Sequence, residues 1–88
     1  MATLIKSNGE TLEVTPKDKK SFQLEELQKY EGGLIEIVKT KLGKPMIINE
    51  EGKIEGLPLN QIASEIYQYS EYDFIVGDVL ICEPNEIE

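Results

Sequence analysis

Short apolar runs broken by turn residues give the chain a regular series of strand and helix signals. Two strand-like runs at 3–6 and 11–15 flank the Asn-Gly pair at 8–9, which is the strongest short signal for a β-hairpin because both residues tolerate positive φ. A second pair of runs, rich in β-branched residues, covers 34–38 and 45–49. These runs predict two hairpins.

Apolar positions three or four residues apart predict two helices. The first covers 22–31, with Gln23 as its N-cap and Ser21 as the rival cap. The second covers 59–69 and has Asn60 in its first turn, where a capping residue belongs. Because Gln is a mediocre cap, the start of the first helix stays open between two positions.

The last apolar run, 73–83, is hydrophobic on both faces. This pattern predicts a central strand covered on both sides or sealed at a subunit interface. The element order is therefore β-β-α-β-β-α-β, which predicts a small two-layer α+β domain with an antiparallel or mixed sheet and both helices on one face. Residues 1–88 form a single domain, because so short a chain cannot hold two cores, and 84–88 is predicted to be a frayed tail.

The charged residues narrow the function classes. Nine lysines face seventeen carboxylates, without arginine or histidine, for a net charge of -8. An acidic chain is repelled by the nucleic-acid backbone, so no direct binding of nucleic acid is expected. Without histidine the usual general base is missing, and no Ser-His or Cys-His pair can activate a nucleophile. The prediction is a protein that is not an enzyme and has no cofactor.

The remaining composition points to the cytoplasm. Cys82 is the single cysteine, so neither an internal disulfide nor a cysteine cluster for zinc can form. The carboxylates of the 49–60 segment lack the spacing of a calcium loop, so no metal site is predicted. No leader is apparent at the N-terminus, and no apolar run approaches the roughly 20 residues of a membrane span. We expect a soluble cytoplasmic protein without membrane contact.

The segment NEEGKIEGLPLN, residues 49–60, is the candidate site. Asparagines at element ends usually satisfy free backbone groups, so capping explains each one singly. Taken together, these residues also form a plausible concave rim of uncharged donors and acceptors, next to a helix N-terminus. The two interpretations stay open. The predicted ligand-binding residues in this segment are Asn49, Lys53, Gly56, Pro58 and Asn60.

Tyr67 completes the predicted site. It belongs to a group of three tyrosines, with Tyr69 and Tyr72, at the end of the second helix. Such rings commonly cover a core or a subunit contact, and the alternative is that one of them stacks on a purine base.

Six short motifs in a fixed order extend over most of the chain. They are L-I-K-x-N-G-E at 4–10, F-x-L-E-E-L-Q at 22–28, G-x-I-E-I-V at 33–38, I-N-E-E-G-K at 48–53, G-L-P-x-N at 56–60 and I-V-G-D-V-L-I at 75–81. In their order and spacing the sequence resembles the family of small phage and mobile-element proteins called domain of unknown function 3846. The resemblance implies an accessory protein and carries over no catalytic motif.

Combined with this resemblance, the residues lead to one main hypothesis and an alternative. The main hypothesis is a non-enzymatic host-defence antagonist that sequesters a small signalling nucleotide in pockets of a homo-oligomer, because so small a chain cannot form a deep pocket alone. The alternative is an acidic inhibitor of a host protein, with nucleic-acid mimicry as one way for its carboxylates to occupy a basic groove. A plain structural adaptor is a third option. The alternative predicts that six carboxylates gather on one face: Glu10, Glu13, Glu25, Glu26, Glu31 and Glu36.

Overall fold

The computed structural model describes residues 2–15 and 22–86. The elements follow the predicted order, and the α+β class is confirmed. They are β1 (Ala2–Ile5), β2 (Thr11–Val14), α1 (Leu24–Glu31), β3 (Ile35–Lys39), β4 (Pro45–Asn49), α2 (Gln61–Ile66) and β5 (Val79–Ile81), followed by a 3-10 helix at Pro84–Glu86.

The five strands form one antiparallel sheet in the order β2-β1-β5-β4-β3. The two predicted hairpins, β1–β2 and β3–β4, are the two outer pairs. β5 inserts between them, pairing Leu80 with Leu4 on one side and with Ile47 on the other. The prediction of a central last strand is confirmed, although its paired part is only Val79–Ile81.

The sheet is apolar on both faces, and each face has its own helix. Residues of one parity, such as Leu4 and Leu80, pack with Leu27 of α1, while their neighbours, such as Val79, pack with Ala63 of α2. Because successive strand residues point to opposite faces, the two clusters lie on opposite sides of the sheet. The expectation that both helices lie on one face of the sheet is therefore wrong, because α1 and α2 cover opposite faces.

The first helix begins after Gln23, one of the two predicted caps. Gln23 is the N-cap, and its backbone N–H donates to Glu26 Oε1 at 3.2 Å in a capping box. The helix ends at Gly32, whose φ of 80° allows its N–H to bond the Gln28 carbonyl. The rival cap Ser21 lies outside the described residues.

The second helix is shorter than the predicted 59–69. It covers Gln61–Ile66, and Tyr67 leaves the helix to form an isolated antiparallel bridge with Thr40. The chain stops being helical because the backbone at Tyr67 pairs with the end of β3, with Gln68 N–H donating to the Lys39 carbonyl at 3.1 Å. Of the predicted apolar stripe, Ala63 is fully buried.

Candidate functional site

The two asparagines of the candidate segment are buried and fully engaged with the protein. The Asn49 amide nitrogen donates to the Glu31 carbonyl and to Glu55 Oε1, both at 3.0 Å, and its oxygen accepts from the Glu51 N–H at 2.8 Å. These bonds join the end of β4 to the end of α1 and shape the turn that follows. The Asn49 side chain therefore does structural work.

Asn60 is buried more deeply than Asn49, with 1% of its surface exposed. Its oxygen caps α2 by accepting from the Ala63 N–H at 3.0 Å, and its nitrogen donates to the carbonyls of Ile5 and Gly77 at 2.9 Å each. One side chain thus links the start of α2 to β1 and to the approach of β5. The capping interpretation accounts for every polar atom of this side chain.

Gly56 ends the 50–56 turn with a φ of 72°, and Pro58 lies in the stretch after that turn, which pairs with the chain before β5. The Pro58 carbonyl accepts from the Gly77 N–H at 2.7 Å, and Leu59 forms an isolated bridge with Val76. Gly77 has a φ of 76°, and a Cβ there would lie 2.8 Å from Leu57 Cδ1, so only glycine fits.

A cleft of about 220 Å³ lies on the α2 side of the sheet, between β3, β4, the 50–56 turn and the chain before β5. Three of the six predicted ligand residues line it, namely Asn49, Lys53 and Tyr67, while Gly56 and Pro58 are not among its walls. Asn60 borders a separate recess beside the β1–β2 turn. The other lining residues are Glu36, Val38, Ile48, Glu50, Ile54, Asp73, Phe74, Ile75 and Val76.

The Lys53 ammonium is held at the mouth of this cleft by two contacts. It pairs with the Asp73 carboxylate, and it lies 4.3 Å from the centroid of the Phe74 ring. Asp73 Oδ1 also accepts from the Phe74 N–H at 2.8 Å, which fixes the carboxylate next to the ring. An exposed cation–π contact contributes roughly 0.5–1 kcal/mol, and an exposed ion pair about 0.2–1 kcal/mol.

The surroundings in the cleft shift the pKa values of two titratable groups, Asp73 and Tyr67. The hydrogen bond from Lys53, together with that from the Phe74 N–H, holds the pKa of Asp73 below its usual range. Partial burial raises the pKa of the Tyr67 hydroxyl, and the nearby Asp73 and Glu36 carboxylates add to the effect. Tyr67 therefore stays a neutral hydrogen-bonding group at physiological pH. The cleft combines three carboxylates and one ammonium with a polar phenol and a half-exposed ring.

The Asp73–Phe74 segment separates this cleft from a neighbouring one of about 460 Å³. Lys41, Ser64 and Ser70 are among the polar residues of that second cleft. The Ser64 hydroxyl is engaged, since it donates to the Asn60 carbonyl at 2.7 Å and accepts from the Ile75 N–H at 2.8 Å. Phe74 is thus open to solvent between two concave surfaces.

The rim of the cleft exposes large apolar side chains. Ile54 is 85% exposed and Phe74 49%, and close by in sequence Tyr72 is 84% exposed. Single exposed apolar residues are ordinary, but a group beside a cleft is typical of a binding surface.

Glu31 lies on the other side of the sheet and departs most from expectation. It is 6% exposed, and neither carboxylate oxygen has a hydrogen-bond partner among residues 2–15 and 22–86. Burial, with a smaller contribution from Asp78, raises its pKa to about 9, so the side chain is a neutral acid at pH 7. Glu31 cannot join a charged surface. Glu36 faces the α2 side, away from α1 with Glu25 and Glu26, so the six carboxylates do not share one face.

Sequence reasoning missed Phe74, Asp73 and Glu36 as parts of the cleft. Asp73 and Phe74 stood at the start of the 73–83 run and were assigned to the last strand. The signal that could have identified these two residues is an acidic residue followed by an aromatic one, just outside a β-branched core run. Glu36 alternates with apolar residues in β3 and gave no such signal.

Among residues 2–15 and 22–86, no group of three His, Cys, Asp or Glu side chains is placed to hold a metal ion. No helix in those same ranges is long and apolar enough to cross a membrane.

Comparison with known proteins identifies the family alone. The sequence has no significant match among curated proteins or among solved structures. One family model, described as "Domain of unknown function (DUF3846)", matches residues 1–88, which is the whole chain. The resemblance inferred from the six motifs is confirmed, and the chain belongs to this family of proteins with a domain of unknown function.

Proposed function

We propose that this protein is a non-enzymatic binding protein that takes a small nucleotide-like ligand in the Lys53–Phe74 cleft, as part of a homo-oligomer. In this proposal it is a phage or mobile-element accessory protein that acts in the host cytoplasm and antagonises host defence by sequestering a signalling nucleotide. The family membership and the lack of any histidine support an accessory role without catalysis.

The observation that carries the proposal is the half-exposed Phe74 ring with a carboxylate and an ammonium beside it. Any nucleobase can stack on an aromatic ring, because every base has a π-face. Carboxylates such as Asp73 accept hydrogen bonds from ribose hydroxyls, as acidic residues do in dinucleotide sites. Lys53 supplies the single point charge for a phosphate. The three groups match the three parts of a nucleotide.

The size of the cleft supports a role for a second copy. Ligand sites usually measure roughly 300–1,000 Å³, whereas this cleft measures about 220 Å³. The exposed Ile54 and Phe74 on its rim would be covered if another copy closed over it. A site built by two copies would bury more of the ligand than one chain can.

The alternative, an acidic inhibitor of a host protein, has less support. Its carboxylate face loses Glu31 to the core, and Glu36 faces away from the α1 carboxylates. The remaining acidic groups still give the chain a net charge of -8. Binding that weakens steeply with salt and needs no small ligand would favour this alternative.

The test is isothermal titration of the wild-type protein with cyclic dinucleotides and ADP-ribose-derived messengers, alongside light scattering for the oligomer size. We expect saturable binding of at least one of them by an oligomer. Phe74→Leu, which removes the ring but keeps an apolar side chain, should abolish it. Tyr72→Leu removes a ring that does not line the cleft and should leave binding unchanged. A monomeric protein that binds none of these ligands would contradict the proposal.

A further inference from the structure

We propose that Lys53 occupies, in the ligand-free protein, the place that a nucleobase takes against Phe74, and that it thereby selects ligands carrying a phosphate. The proposal rests on the proposed function, since it assigns a role within the same cleft. It concerns a step that the cleft geometry imposes on any planar ligand. A base can reach this side of the ring only after the ammonium has left it.

The side chain of Lys53 can move without its backbone. The turn that carries it is closed by main-chain bonds, with Leu57 N–H donating to the Gly52 carbonyl at 3.0 Å and Gly56 N–H to the Lys53 carbonyl at 3.2 Å. Asn49 holds the same turn through Glu51 and Glu55. By contrast, the Lys53 side chain is 47% exposed and sits on a flexible four-carbon stem. Displacement therefore costs the two contacts of the ammonium and leaves the turn intact.

Displacement of the ammonium affects two kinds of ligand differently. An uncharged nucleoside gains a stack on Phe74 but leaves Lys53 without its ring and, where the ribose takes Asp73, without its carboxylate. A nucleotide offers the same stack and also a phosphate, which gives the ammonium a new partner. The loss of both Lys53 contacts corresponds to about threefold to thirtyfold in affinity. Lys53 therefore penalises nucleosides by that factor and nucleotides by much less.

The charged side chains that line the cleft determine where a phosphate can bind. Glu36, Glu50 and Asp73 line the same cleft and would repel a phosphate placed among them. Among the lining residues that the structure describes, Lys53 is the one cation. A phosphate is thus accepted only beside the displaced ammonium, while the base and the ribose take the places at Phe74 and Asp73 that the ammonium leaves.

The test compares wild type with Lys53→Met, which keeps an unbranched apolar stem and removes the charge. Adenosine and adenosine 5′-monophosphate are titrated into each protein while the ring resonances of the two phenylalanines are followed by NMR. Phe22 is buried on the α1 side and serves as the internal reference. Lys29→Met, an equal charge change on exposed α1, is the matched control.

We expect Lys53→Met to bind adenosine about threefold to thirtyfold more tightly than wild type, with shifts at Phe74 and none at Phe22. We also expect the preference for the monophosphate over the nucleoside to shrink, and Lys29→Met to behave as wild type. Adenosine affinity that is unchanged or weaker in Lys53→Met, including no shift at Phe74 in either protein, overturns the inference. That result with intact nucleotide binding by wild type leaves the proposed function standing. Tighter adenosine binding by the variant, without any nucleotide binding by wild type, removes the proposed function and overturns the selection for phosphate, although Lys53 still occupies the ring.

Discussion

Acidic side chains on the two faces of the sheet are stabilised in opposite protonation states. On the α2 side, Asp73 stays exposed and charged, paired with Lys53 and bonded by a backbone N–H. On the α1 side, Glu31 is buried, neither oxygen is bonded to a described residue, and its pKa rises to about 9. The cleft thus retains charges that a ligand can use, while the opposite face has neutralised its acid by protonation.

The contrast shows that the sign of a pKa shift follows the surroundings rather than the residue type. A carboxylate with a lysine partner is stabilised in its charged form, whereas one removed from water without a partner is stabilised in its neutral form. The free energy of unfolding therefore responds to pH in opposite directions on the two faces. Three predictions sharpen this comparison.

The largest effect is expected from Glu31→Gln. The folded pKa of Glu31, about 9, lies above its ordinary value of 4.5, so the native state binds the extra proton between these pH values. The contribution of Glu31 to stability is thus greatest at low pH and falls as pH rises through this window, by about 3–4 kcal/mol between pH 5 and pH 8. Glutamine does not titrate and should remove this slope, as measured by urea unfolding at several pH values.

Glu25→Gln is the control for this prediction, because Glu25 is exposed on the same helix. Its unfolding curves should follow those of wild type across the same pH range. Equal slopes for Glu31→Gln and wild type would mean that Glu31 is ionised in the folded protein, and the contrast between the faces would disappear.

The next effect concerns Asn60, whose side chain joins the two faces through β1 and α2. Asn60→Ala leaves two carbonyls and one N–H without partners and should cost about 2–4 kcal/mol in unfolding free energy. Asn60→Ser keeps an acceptor for the Ala63 N–H but cannot reach the Ile5 and Gly77 carbonyls, so it should recover less than half of the loss. Asn85→Ala, at an exposed position, should change stability by less than about 0.5 kcal/mol.

Thermal and urea unfolding measure both Asn60 variants. A loss below 1 kcal/mol for Asn60→Ala would contradict the assignment of Asn60 to the framework and would return it to the list of ligand residues.

The smallest effect is expected from Asp73→Asn. Its lowered pKa means that the Lys53 pair adds stability above the ordinary pKa of an aspartate and loses it as pH falls through the lowered value. Because both side chains are more than two-fifths exposed, the change should stay below about 1 kcal/mol and vanish in high salt. Urea unfolding at low and high salt tests this. A salt-independent loss would show that Asp73 supports the fold rather than the cleft.

Much of the fold was predictable because strands and turns have local signals. The bounds of β4 agree with prediction at Pro45–Asn49, and the Asn-Gly turn joins β1 to β2 as expected. The structure selects Gln23 from the two caps that the sequence left open. The error lay in placing both helices on one face, although the two-sided hydrophobicity of the last strand already required cover on each side.

The site was only partly predictable, since a cleft is made by residues distant in sequence. Lys53 and Tyr67 were named, but the ring and carboxylate that engage Lys53 lie twenty residues further along the chain. Asn60 was named because a polar residue at a helix start is conspicuous, and its three bonds to the framework depend on strands that no local pattern places beside it.

By itself, the sequence determined the order of the elements, the hairpins, the central position of the last strand and the family. Each of these follows from hydrophobic periodicity and turn chemistry within a few residues. Only the tertiary structure decided which acidic side chains stay charged. The packing of α1 removed Glu31 from water, and the return of the chain before β5 placed Asp73 and Phe74 against Lys53, because desolvation and pairing depend on neighbours that folding alone brings together.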